Sequence, residues 1–241
     1  MNRIKLNLLI TMIKLNYSII FSVFLFFSLQ LLNAQDWANL NRFKKQNEAL
    51  GIPLKGEKRV VFMGNSITEG WKSSDPELFD NNGFINRGIG GQTTPQMLVR
   101  FRSDVINLQP KVVVILAGTN DIAGNTGPTT LEEIRDNIAS MAELAKSNGI
   151  SVIISSVLPA YDYPWRTGLE PNIKIPELNR MLKDYAGAKG MVYLDYFSVM
   201  ADDRNGLPKV LAEDGVHPTK KGYDIMKPIV LKAINLALQK Q

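Results

Sequence analysis

Val112-Val113-Val114-Ile115-Leu116-Ala117-Gly118-Thr119-Asn120-Asp121 is the stretch that decides how this chain folds. Val112 to Leu116 has no polar face, so a strand formed here must be covered on both sides, as a central strand of a parallel sheet is. The run is too short for an ordinary helix, and Gly118 to Asp121 ends it in a turn. Working outward, the chain alternates short β-branched runs with longer helical patterns. Strands are expected at Arg59 to Met63, Phe84 to Asn86, Lys111 to Leu116, Ser151 to Val157 and Val192 to Asp195. Helices are expected over Asp36 to Leu50, Thr93 to Leu108, Leu131 to Asn148 and Ile175 to Ala188, with a last one after Pro218 that Pro228 should kink. Thr130-Leu131-Glu132-Glu133 has the form of a capping box, and Asn148-Gly149 that of a helix stop. This alternation predicts an α/β fold: a three-layer α/β/α sandwich around a doubly wound, five-stranded parallel sheet.

Composition fixes the frame around that core. The chain has 241 residues and 45% hydrophobic content, enough for one sizeable core, and no repeat or linker divides residues 35–241, which are read as a single domain. The formal charge of +5 is misleading: residues 1–34 hold Arg3, Lys5 and Lys14 and no acid, so three of the 28 basic residues lie there and 25 stand against 23 acids in the rest. With no basic stripe and no interleaved aromatics, nucleic acid is excluded as an expected partner. Residues 1–34 read as a signal peptide: a basic start, an apolar run from Ile19 to Leu32, then Asn33-Ala34 before the cut. That run is shorter than the roughly 18 residues that span a bilayer, so export without stable membrane insertion is expected, an uncleaved anchor being the alternative. The chain contains no cysteine, which removes disulfides and thiolate metal sites.

The candidate chemistry lies beyond the carboxyl ends of the predicted strands, where open α/β sheets bind ligands. Ser66 follows the first strand in Gly64-Asn65-Ser66-Ile67-Thr68 and reads equally as a helix N-cap; Gly88-Ile89-Gly90-Gly91 follows the second, Gly118-Thr119-Asn120-Asp121 the third, and Asp214-Gly215-Val216-His217-Pro218 comes after the fifth. His217 is the only histidine. An acid three residues before it on one short loop is able to reach back to the ring and fix its tautomer, leaving the other nitrogen for a serine hydroxyl that needs a base. Pro218 suits the first turn of the closing helix. Position 68 is threonine, so the G-x-S-x-G elbow is absent. Asp121, Asp195, Asp202, Asp203 and Asp214 supply carboxylates for a metal, but with one histidine and no cysteine a zinc site would be almost wholly carboxylate, so no metal is assigned.

Taken together, the four blocks resemble the SGNH hydrolases, the GDSL-type esterase and lipase superfamily. Within it the chain looks most like the compact branch related to platelet-activating-factor acetylhydrolase subunits and lysophospholipase-like esterases, over nearly all of residues 57–238. The resemblance implies the flavodoxin-like SGNH fold, Ser66 as nucleophile, His217 as base and Asp214 as its orienter. It also implies an oxyanion hole from Ser66, Gly91 and Asn120, with Gly90 the alternative to Gly91, and needs no cofactor. Two positions depart from the family pattern: Asn65 and Gln92 stand where aspartate is usual. Trp165 and Arg166, in the segment from Leu158 to Ile175, are candidates for the wall of a substrate pocket. With no large lid visible, the expected substrate is a small-molecule or glycan ester with a short acyl group, the alternatives being a carbohydrate O-acyltransferase or a catalytically silent glycan-binding protein.

Overall fold

Each residue of Val112–Leu116 is buried, and successive side chains enter opposite layers. Val113 and Ile115 pack into one apolar cluster, whereas Val112, Val114 and Leu116 pack into the other. The computed structural model describes residues 36–240 and the isolated Asn16. Two compact units divide the chain, Met1–Trp37 and Ala38–Gln241; the second holds the sheet. Apart from Asn16, the expected leader of residues 1–34 lies outside the described residues. Among the described residues no helix is long and apolar enough to cross a membrane.

In chain order the elements are α1 (Lys44–Leu50), β1 (Val60–Gly64), α2 (Ser66–Ser74), α3 (Pro76–Asp80), β2 (Phe84–Gly88), α4 (Thr94–Asp104), β3 (Val112–Leu116), α5 (Thr119–Ile122), α6 (Leu131–Ser147), β4 (Ser151–Ser155), α7 (Pro171–Ala188), β5 (Val192–Leu194), α8 (Phe197–Met200) and α9 (Lys220–Gln239). The five strands are all parallel, in the order β2-β1-β3-β4-β5. This is the expected doubly wound α/β sandwich. Val61, Met63, Val152 and Ile154 face the layer that contains α4, α6 and α7; Val60, Phe62 and Ile153 face the layer that contains α2, α3 and α9. Burying each such side chain contributes roughly 1.5–3 kcal/mol against the cost of ordering it. Alternation within a continuously apolar run therefore fixes both layers at once.

The strand order reverses direction at β1, whose chain leaves first toward β2 and then, through α4, returns to β3 on the other side. The gap between the carboxyl ends of β1 and β3 is the topological switch point, where such sheets hold ligands. Close packing supports it: a Cβ on Gly88 would collide with the backbone of Thr68 and Glu69, so the end of β2 meets α2 backbone to backbone.

Several expected boundaries move, each for a local reason. The helix expected from Asp36 forms only at Lys44–Leu50, after turns that include Asn39 at φ 58°. Strand β4 stops at Ser155 because the Asn179 side chain takes both the N–H and the carbonyl of Val157, at 2.7 and 3.0 Å. The Thr93 to Leu108 helix divides at Val105, past which Ile106–Leu108 forms a separate 3₁₀ turn. Thr219 caps α9, its hydroxyl accepting from Gly222 N–H, so Pro218 precedes the helix rather than filling its first turn. Helix α9 continues through Pro228 to Gln239, and the capping box at Thr130 and Glu133 is present.

Candidate active site

Strand β1 delivers its chain to Asn65, which caps α2: the Asn65 Oδ1 accepts from Ile67 N–H at 3.0 Å, and Ser66 becomes the first residue of the helix. The N-cap reading of Ser66 is thereby corrected, since the capping side chain is that of its predecessor. Asn65 does what an aspartate would do there, because capping needs only an acceptor oxygen. Its buried Nδ2 is left without a partner. Ser66 stands partly exposed at the positive end of a nine-residue helix, where developing negative charge is stabilised.

On the far side of the cleft, the loop before α9 folds back on itself. Asp214 Oδ1 accepts the N–H groups of Val216 and His217, at 2.9 and 2.8 Å, while Oδ2 lies 2.6 Å from His217 Nδ1. His217 Nε2 lies 2.9 Å from Ser66 Oγ. Burial alone would raise the Asp214 pKa, but hydrogen bonds from the His217 ring and from the two backbone N–H groups outweigh it and hold the carboxyl below its usual range. An ionised carboxylate only accepts, so Nδ1 carries the proton and Nε2 presents its lone pair to the serine hydroxyl. Ser66, His217 and Asp214, separated by up to 151 positions in sequence, form one continuous hydrogen-bonded chain. The arrangement is able to move a proton from hydroxyl to imidazole.

The two glycines after β2 divide their tasks. Gly90 N–H donates to Glu69 Oε2 at 2.8 Å, so it is occupied. Gly91, at φ 74°, is left with an N–H that has no acceptor among the described residues, as does Ser66. The geometry thus favours Gly91 over Gly90 as a free donor. Asn120, the second residue of α5, spends one amide hydrogen on the Gln92 carbonyl, at 2.9 Å, keeping the other. Its neighbour Asp121 is tied down: Oδ1 accepts from Thr94 N–H and hydroxyl, and burial raises its pKa despite those bonds. Gln92 also has structural partners, donating to the Ala38 carbonyl and accepting from the buried Arg100. Arg100 reaches the carbonyls of Gly64 and Arg87 and so ties together the ends of β1 and β2 that carry the two loops.

Of the two candidate pocket residues, the structure brings one to the site. The Trp165 ring centroid lies 6.0 Å from that of His217, and its ring stacks on Tyr163, whose hydroxyl is 3.0 Å from Thr119 Oγ1. Arg166 instead spends Nη1 on the carbonyls of Ala123 and Gly124, at 3.0 and 2.8 Å, tethering the crossover to the segment after α5. Glu69 and Asn125, which hold the glycine turn, are absent from the sequence reading. The one available signal was the three-residue spacing of Glu69 from Ser66 on a helix. Among the described residues no three His, Asp or Glu side chains converge as metal ligands.

Comparison with known proteins fits this geometry. Residues 62–225 match the model of the GDSL-like lipase/acylhydrolase family, and the chain belongs to that family. A crystal structure of a GDSL-like lipase from Bacteroides thetaiotaomicron superposes with a TM-score of 0.81 at 50% identity, covering 83% of this chain and 98% of the other. The platelet-activating factor acetylhydrolase IB subunit alpha2 of Rattus norvegicus is 28% identical over 203 residues, 81% of this chain and 85% of that protein. The acetylxylan esterase of Xylanibacter ruminicola is 26% identical over 222 residues, 78% of this chain and 45% of that protein. The chain spans about half the length of two of the curated relatives it matches.

Proposed function

We propose that this chain is an exported serine esterase that removes short acyl groups, acetyl foremost, from carbohydrate or other small esters. The observation that carries the reading is the unbroken chain from Ser66 Oγ through His217 to Asp214, at 2.9 and 2.6 Å, at the switch point of the sheet. In the proposed reaction His217 Nε2 takes the Ser66 proton as Oγ attacks the ester carbonyl. The N–H groups of Ser66 and Gly91 and the Asn120 amide stabilise the oxyanion; His217 then returns the proton to the leaving alcohol, and water repeats the cycle on the acyl-enzyme. Trp165 forms a wall of the pocket beside the base. Short acyl groups are supported by the open setting of the triad, with the His217 and Asp214 side chains 43% and 40% exposed. Two relatives are named for acetyl esters, one of them on xylan.

The test is turnover of p-nitrophenyl acetate, butyrate and octanoate by the full chain and by Ser66→Ala. Acetate is expected to be the best of the three, and Ser66→Ala is expected to lower its turnover about 10⁴-fold. Equal, slow release by both proteins would sink the hydrolase reading, and release that rises only with an added sugar acceptor would identify acyl transfer instead. Export rests on the basic start, the apolar run from Ile19 to Leu32 and the small Ala34. Protein recovered from outside the cytoplasm should begin at Gln35; recovery of the uncut chain in the membrane fraction would favour an anchor.

A further inference from the structure

The turn that carries Gly91 is built from two adjacent glycines, the residues least able to hold a peptide plane in place by themselves. Its outside contacts are specific. The plane before Gly90 is held through its N–H, which donates to Glu69 Oε2 at 2.8 Å. The plane after Gly91 is held through its carbonyl, which accepts from Asn125 Nδ2 at 3.0 Å. Between them lies the Gly90–Gly91 plane, and its N–H is the one without an acceptor among the described residues. Glu69 stands one turn after Ser66 on α2, so the helix that presents the hydroxyl also presents the carboxylate that restrains the glycine turn. The spacing is tight: a Cβ on Gly90 would lie 3.1 Å from Glu69 Oε2 and 3.9 Å from Ser66 Cβ.

The other carboxylate oxygen of Glu69 accepts from Arg42 Nη2 at 3.1 Å, which links the turn to the strap ahead of β1. Ala38 and Asn47 fasten the same strap, through the Gln92 amide at 2.8 Å and the Arg87 guanidinium at 2.7 and 2.9 Å. The Arg42–Glu69 pair is exposed, 50% and 40% by side chain, a setting in which an ion pair adds little to stability. Its consequence here is directional, because it restricts the rotation of the Glu69 carboxylate.

We propose that Glu69 is a positioning residue for the esterase reaction: by anchoring Gly90, with Arg42 steadying its carboxylate, it aims the Gly91 N–H at the oxyanion that forms on the substrate carbonyl oxygen when Ser66 attacks. The inference rests on the proposed function of Ser66 and Gly91. It differs from a merely structural role in what it protects, since the transition state gains from an aimed donor and the bound substrate does not.

The decisive comparison uses the full chain carrying Glu69→Ala, Glu69→Gln or Arg42→Ala, with p-nitrophenyl acetate as substrate. Glu69→Ala should lower kcat on the order of 10- to 100-fold, less than the 100- to 1000-fold typical of losing an oxyanion donor outright, with KM within about threefold. Glu69→Gln keeps an oxygen able to accept from Gly90 and should recover most of the loss, while Arg42→Ala should give a smaller fall. Affinity for methylboronic acid, which forms a tetrahedral anionic adduct with the serine, should fall in parallel with kcat. Unchanged kcat and boronate affinity in Glu69→Ala would overturn the proposal, as would a loss confined to KM or one that Gln fails to rescue. A separate readout needs no turnover: the Gly90 amide proton should shift upfield in Glu69→Ala and less so in Glu69→Gln. If the wild type cleaves none of the esters, the esterase reading fails, and the Gly90 signal alone then shows whether Glu69 holds the turn.

Discussion

Replacing His217 with alanine should lower kcat/KM for p-nitrophenyl acetate by about four orders of magnitude, while the protein stays folded. The activity loss is large because no other imidazole exists in the chain to take the serine proton. Lys220 and Lys221 follow within four positions, but an ammonium has no lone pair to offer. The stability cost should stay at about 1 kcal/mol, the net value of an ordinary hydrogen bond, because the partners are part-exposed. The ring is 43% exposed and its removal deletes two side-chain hydrogen bonds, whereas the backbone N–H of residue 217 keeps its bond to Asp214 Oδ1. Steady-state kinetics and a thermal unfolding curve on the same preparation are the measurements. Activity within tenfold of wild type would remove His217 from the mechanism.

The core of this fold was legible because its sheet is buried on both faces. Val112 to Leu116 carries no polar residue, and a central strand covered on both faces satisfies such a run. The pairing of Asp214 with His217 was legible for a different reason: three residues of separation allow one carboxylate to meet both the ring and the backbone of the same short loop. Helices α2 and α3, between β1 and β2, were not among the expected helices, although the N-cap reading of Ser66 implied a helix where α2 forms. They are short, with Gly70 inside the first and Pro76 opening the second, so neither builds a long periodic face. Their burial comes from tertiary partners, above all Trp71 stacked on Tyr223 at 5.4 Å between ring centroids. The props of the glycine turn were illegible for the same reason. Glu69 lies 21 positions from Gly90, Asn125 lies 34 from Gly91 and Ala38 lies 54 from Gln92, and no local pattern encodes such contacts.

Buried charge accounts for much of what holds the two loops in place. Arg100 is fully buried, and its guanidinium bonds Asp104, Gln92 and two carbonyls at the ends of β1 and β2. Burial lowers its pKa, and Asp104 acts in the opposite direction. Replacing a whole buried ion pair with apolar side chains of similar volume is often tolerated, whereas removing one partner alone typically costs about 3–5 kcal/mol. The Arg100–Asp104 pair is therefore better explained by geometry than by net stability. The hydrogen bonds of Arg100 set the separation of β1 and β2 where Ser66 and Gly91 leave the sheet. Gln92, where aspartate is usual in the resembling family, belongs to that arrangement: its amide both accepts from Arg100 and donates to the Ala38 carbonyl, which an ionised carboxylate is unable to do.

Asp214→Asn should lower kcat by about 10⁴-fold with little change in the loop, an effect of tautomer rather than of shape. In the wild type one Asp214 oxygen accepts two backbone N–H groups, and the other accepts from His217 Nδ1. An asparagine amide satisfies the backbone best by placing its oxygen in the first position, because two donors there must meet an acceptor. Its NH₂ then faces Nδ1. A donor opposite Nδ1 favours the tautomer protonated at Nε2, and that nitrogen is the one 2.9 Å from Ser66 Oγ. The ring would donate to the hydroxyl instead of accepting from it, leaving Oγ without a base. Turning the amide to restore the tautomer would set its NH₂ against the N–H groups of Val216 and His217, a clash of donors in a partly buried loop. Asp214→Ala removes the misplaced donor along with the carboxylate, so the ring regains its freedom and the variant should keep at least as much activity as Asp214→Asn. Comparing kcat for the two variants separates the explanations: an Asn variant much more active than the Ala variant would mean that Asp214 serves chiefly as a loop cap.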